Sequence, residues 1–154
     1  MRRSSVLVLL VVVAGLLGSS VGSFGAVPSA HGQIQGSVTT LFGGIERTYD
    51  IRLSFNVRDM APGEGGDFGT LSGRLFDPDT GKMCAVFVAS DMPIVDVLPN
   101  GDVYFVAVLR LVTGSFPVDQ RRIQFWAHDG DVDAFRIGPF PVTINRGFVT
   151  ARTP

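Results

Sequence analysis

Arg47-Thr48-Tyr49-Asp50-Ile51-Arg52-Leu53-Ser54-Phe55-Asn56-Val57-Arg58 alternates without a break. Tyr49, Ile51, Leu53, Phe55 and Val57 point one way, while Thr48, Asp50, Arg52, Ser54, Asn56 and Arg58 point the other, which is the pattern of a half-buried antiparallel strand. Upstream, Ile34, Val38 and Phe42 keep the same phase. Downstream, the Gly-rich loop 61–67 leads into Phe68 to Phe76, and Asp77-Pro78-Asp79-Thr80-Gly81 is a strong turn signal, because Pro presets a central dihedral and Gly accepts a positive φ. Lys82 to Ser90 and Pro93 to Leu98 follow, then Asn100-Gly101, a two-residue hairpin signal. Val103 to Val112 is apolar on both faces apart from Tyr104 and Arg110, which predicts a central strand covered on both sides. Arg122 to His128, Ala134 to Ile137 and Val142 to Thr150 complete the series. No helical period follows residue 30. The expected fold is all-β, an antiparallel meander of about 8–9 strands forming a small closed or flattened barrel, with a two-sheet β-sandwich as the alternative.

The N-terminus reads differently. Met1-Arg2-Arg3 precedes an uncharged apolar run from Val6 to Leu17, and small polar residues follow at Ser19, Ser20, Ser23 and Ser29, the order of a secretory signal. The run is too short for the roughly 20 residues of a spanning helix. Three cleavage positions suggest themselves: after Ala30, after Ser29, or after Gly22 with Ser20 at −3. The expected organisation is a signal peptide over 1–30 and one all-β domain over 31–154. Removing 1–30 takes away two arginines and no acid, so the formal charge falls from −1 to −3. That excludes a two-domain chain, a polytopic membrane protein and a basic nucleic-acid binder. The expected location is extracellular, or periplasmic where an outer membrane is present, with no membrane insertion after signal removal. Cys84 is the lone cysteine, so no internal disulfide can form, and Met83-Cys84-Ala85-Val86-Phe87-Val88 predicts a buried inert thiol. One lysine beside twelve arginines suggests a GC-rich bacterial coding sequence.

Several segments together look familiar: Gly32-Gln33-Ile34, Ser54-Phe55-Asn56-Val57, Asn100-Gly101-Asp102-Val103-Tyr104-Phe105, the acidic loop entering Asp133-Ala134-Phe135-Arg136-Ile137, and Gly147-Phe148-Val149. In this order the chain, over roughly residues 32–152, resembles the secreted bacterial post-COAP domains, which are associated with choice-of-anchor modules. Met83-Cys84 and the Arg121-Arg122 strand start depart from that pattern. The resemblance implies an extracellular all-β domain without an assigned reaction, and it carries no functional residues over.

Three constellations have chemical content. His128-Asp129-Gly130-Asp131-Val132-Asp133 alternates carboxylates, so Asp129, Asp131 and Asp133 are candidate calcium ligands, although the loop lacks the Gly and Glu of an EF-hand. The plainer reading is a solvated hairpin loop. His31 would begin the mature chain if cleavage followed Ala30, and an N-terminal histidine with His128 offers the nitrogen set of a copper site. The plainer reading is a terminal histidine without a ligand. Trp126 falls on the face opposite Ile123, Phe125 and Ala127, where it can stack on a sugar ring or pack beneath a loop. No Ser sits in a Gly-x-Ser-x-Gly elbow, and the glycine-rich loop lacks a following helix and a Lys. The expectation is a secreted, non-enzymatic β module binding an extracellular protein or glycan. The alternatives are a small copper protein using His31 and a lipocalin-like barrel holding a small apolar ligand.

Overall fold

The computed structural model describes residues 26–42, 45–60, 66–114 and 122–154. Most of the expected signal peptide, part of the Gly-rich loop and Arg121 lie outside them. Ten strands form: β1 (Ser29–Phe42), β2 (Ile45–Arg58), β3 (Phe68–Phe76), β4 (Met83–Ala89), β5 (Ile94–Val97), β6 (Asp102–Val108), β7 (Arg110–Gly114), β8 (Arg122–His128), β9 (Ala134–Ile137) and β10 (Phe140–Arg152). They make one strongly curled antiparallel sheet in the order β5-β6-β8-β9-β10-β1-β2-β3-β4-β7. No helix among the described residues is long and apolar enough to cross a membrane.

That order hides a meander. Leu109 alone separates β6 from β7, and β4 and β5 pair with successive parts of this one extended run: Val97↔Val103 to Ile94↔Val106, then Val88↔Arg110 to Ala85↔Gly114. Between the two ladders the Val108 N–H donates to the Asp91 carbonyl at 3.0 Å. Residues 83–97 and 102–114 are therefore two long antiparallel arms of one hairpin, bent in the middle. One end of it pairs with β3, the other with β8, so the hairpin joins the two halves of the sheet and makes the curl. The predicted doubly covered strand 103–112 is corrected here. It divides at Leu109 into β6, whose outward Tyr104, Val106 and Val108 are half-buried, and β7, an exposed strand at the end of the ladder order.

The Asn100-Gly101 signal does mark a hairpin, but not as the two central residues. Gly101 N–H bonds the Leu98 carbonyl at 3.1 Å, so Pro99 and Asn100 are central, and Gly101 follows at φ +87°. Pro99 suits the first central place because its ring already holds the dihedral required there.

Inward residues of β2, β6, β8 and β9 meet inside the curl. Phe55, Phe105, Phe125 and Phe135 form a connected aromatic cluster with ring centroids 5.0–6.0 Å apart. These rings pack against one another in the interior of the curl. Gly73 on β3 leaves room for Phe87, since a Cβ there would stand 2.1 Å from the ring. β1 opens at Ser29, two residues before the expected domain boundary. Ala30 is 1% exposed and pairs with both Ala151 and Val57, so it belongs to the core. Cys84 is half-buried rather than buried, because it alternates with the fully buried Ala85.

Candidate functional site

Where the core face of β10-β1-β2-β3-β4 is apolar, alternation makes the opposite face polar. Register then fixes which outward side chains stand side by side. One row reads Thr150–His31–Asn56–Thr70, the next Phe148–Gln33–Ser54–Ser72–Val88, and the next Arg146–Gln35–Arg52–Arg74–Val86. On this outer face of the curl lies an open groove of about 860 Å³, with Gln33, Arg52, Ser54, Arg74, Arg146 and Phe148 among its lining. A second hollow of about 510 Å³ adjoins it, sharing Gln33, Ser54, Ser72 and Phe148 and adding His31.

Local contacts hold parts of this surface in place. Ser54 and Ser72 share a hydrogen bond between hydroxyls at 2.9 Å. The His31 ring meets Phe148 edge-on at 5.7 Å, and the Arg52 guanidinium lies 4.9 Å from the centre of the Phe76 ring. Phe148 keeps 42% of its surface exposed. The groove can therefore offer hydroxyl, amide and guanidinium donors around one aromatic ring, the mixture that binds a polar ligand with some apolar surface.

The residues singled out from the sequence are dispersed. His31 is on β1, beside Thr150 of β10 and Asn56 of β2, and His128 is the last residue of β8. His128 Nδ1 lies 2.9 Å from Asp102 Oδ1, and its ring lies beside Gly130, where a Cβ would stand 2.6 Å from Nε2. Asp102 is itself bound to Asn100, whose Nδ2 donates to Asp102 Oδ2 at 2.8 Å.

Two of the three loop carboxylates face backbone. Asp129 Oδ2 accepts the Ala151 N–H at 2.7 Å, and Asp133 Oδ2 accepts the Val149 N–H at 2.9 Å. Asp131 is exposed at the loop tip. Among the described residues no three His, Cys, Asp or Glu side chains gather in a way that could hold a metal ion. β9 pairs with β10 only from Phe140 to Val142, so the loop carboxylates satisfy N–H groups of β10 beyond the end of β9.

Trp126 lies on the outward face of β8, half-buried, stacked on His128 at 6.0 Å and within 5.3 Å of the Arg136 guanidinium. It is separate from the groove, whose lining does not include it. None of the groove's lining residues stands out in the sequence, and His31, a copper candidate by sequence, lines only the adjoining hollow. Outward positions such as Arg52 and Ser54 were legible; their neighbours on other strands were not. No family model, no curated protein and no solved structure matches the chain, so the groove is characterised by its own geometry alone.

Proposed function

We propose that this chain is a secreted, non-enzymatic β module that binds an extracellular glycan along the groove of β10-β1-β2-β3-β4. The observation that carries the reading is the groove itself: an open hollow lined by hydroxyl, amide and guanidinium side chains, with the exposed Phe148 ring among them. A sugar chain presents both hydroxyls for such donors and acceptors and C–H faces for a ring. Affinity gel electrophoresis against a panel of neutral and acidic soluble polysaccharides tests it. At least one should retard the protein, and Phe148→Ala should weaken that retardation with no change in melting temperature. Unchanged mobility against the whole panel removes the reading.

The signal-like N-terminus and the resemblance to post-COAP domains support an extracellular location. Pro28 and Ala30 bear on where the signal is cut. The Asp59 N–H donates to the Pro28 carbonyl at 3.0 Å, and Ala30 is buried, so a cut upstream of Pro28, such as that after Gly22, keeps the sheet whole. The intact mass of the secreted protein should therefore begin before Pro28; a mass beginning at His31 would restore the N-terminal histidine copper reading.

A further inference from the structure

Charge on the polar face is unevenly placed. Arg146 stands opposite Gln35, Gln35 opposite Arg52, and Arg52 opposite Arg74, so three guanidinium side chains share one line across four strands. At about 4.8 Å per strand, Arg52 and Arg74 are direct neighbours, and Arg146 is roughly 10 Å from Arg52. A second line, Arg152–Ser29–Arg58, crosses the same strands near one end of the face. The rows between them carry no acid or arginine, only hydroxyls, amides, His31, Phe148 and Val88. With Arg110 opposite Val88, six arginines point outward from these strands and β7, against Asp50 and Glu46. The whole chain meanwhile carries 13 basic and 14 acidic residues, so this face is a local positive field on a nearly neutral protein.

Like charges directly opposite one another destabilise an antiparallel pair. Among the described residues no arginine forms a salt bridge with a carboxylate, so Arg52, Arg74 and Arg146 have no carboxylate in contact. An anionic ligand lying along the row would offset that repulsion.

We propose that the ligand is a carboxylated polysaccharide, a polyuronate chain laid across the strands with carboxylates on Arg146, Arg52 and Arg74. This rests on the glycan reading of the groove and adds the ligand's charge. A guanidinium presents a planar fork that receives a carboxylate through two parallel hydrogen bonds. The hydroxyls of the same chain meet Gln33, Gln35, Ser54 and Ser72. Single-stranded nucleic acid is favoured by successive aromatic platforms, and the groove lining exposes one phenylalanine.

Titration calorimetry with alginate, laminarin (a neutral glucan) and single-stranded oligothymidylate, each at low and physiological salt, tests this. Alginate should bind, more weakly as salt rises. Arg52→Gln with Arg74→Gln should weaken it at least about tenfold, as expected for loss of charge-assisted hydrogen bonds. The double variant should melt close to the parent, because the loss of the Arg52–Phe76 contact is set against the removal of an opposed like-charge pair; a cooperative melt at that temperature separates lost binding from lost folding. Oligothymidylate binding as tightly as alginate, or full alginate affinity in the double variant, overturns the proposal. Laminarin binding as tightly as alginate, or without it, overturns the acidic ligand and leaves the glycan groove standing. No polysaccharide binding at all overturns both.

Discussion

Asp67, just ahead of β3, holds β5: its Oδ2 accepts the Val95 N–H at 2.7 Å, and its Oδ1 accepts the Met60 N–H at 3.0 Å. Asp59, just past β2, accepts the Val97 N–H in the same way at 3.0 Å. β5 pairs with β6 on one side only, so these carboxylates supply the acceptors that a further strand would have supplied. Asp129 and Asp133 do the same for β10. In both places a ladder runs out of partner strand, and side chains from a neighbouring connection complete it.

Removing the Asp67 carboxylate should leave two backbone donors without acceptors. Asp67→Ala is expected to destabilise the protein by about 2 kcal/mol, from the usual loss for an unsatisfied donor. Asp67→Asn, which keeps one accepting oxygen, should fall between. Urea denaturation gives the magnitude, and hydrogen exchange at the Val95 amide gives the location; wild-type protection of that amide in Asp67→Ala would show that β5 is held by other contacts.

The acidic loop yields a contrast within one hexapeptide. Asp129→Ala and Asp133→Ala should each lower stability by about 1–3 kcal/mol through the freed Ala151 and Val149 N–H groups. Asp131→Ala, at the exposed tip, should stay within about 0.5 kcal/mol. Thermal melts with calcium and with a chelator check the ordering. A calcium-dependent loss at Asp131 would return the three aspartates to the role of metal ligands.

Gly73→Ala should be costly for a residue of such small added volume. The new methyl group would enter the Phe87 ring, and overpacking of this kind costs about 1–3 kcal/mol. Phe87→Leu in the same chain should recover part of that loss, and a double-mutant cycle on chemical denaturation measures the coupling.

Asp77 gives the pH dependence. Its Oδ1 accepts the Thr80 N–H at 2.8 Å, the Thr80 hydroxyl at 2.9 Å and the Asp79 N–H at 3.1 Å. The Thr80 backbone bond, above all, holds its carboxyl below the usual aspartate value. A folded value below the unfolded one means the stabilisation is fully present above the unfolded value and is lost as pH falls through the folded one. An NMR titration of the Asp77 carboxyl should place its midpoint below 3.8. In Asp77→Asn the acid-side stability profile should be flatter; an unchanged profile would remove Asp77 from the acid response.

Much of the fold was legible because its cause is local. Residues 47–58 carry their own inside and outside in alternate positions, and Asp77-Pro78-Asp79-Thr80-Gly81 carries its own turn, so class and most strand positions followed from neighbouring residues, while ten strands stand where about 8–9 were expected. The division at Leu109 was not legible, since apolar residues run through it without a break, and what bends there is the pairing with β5 and then β4. Nor was the use of Asp59, Asp67, Asp129 and Asp133: a carboxylate in a loop looks the same whether it faces water or a backbone N–H from a strand distant in sequence.

The groove face shows the same separation. Sequence by itself determined that Arg52, Arg74 and Arg146 belong to strands, and alternation set Arg52 outward. Only the tertiary structure decided that they stand in one row, because a shift of one residue in any of three strand pairings would turn a side chain to the other face. That register is set by the burial of Ile34, Leu53, Gly73 and Phe87 on the opposite side, among contacts between strands far apart in the chain.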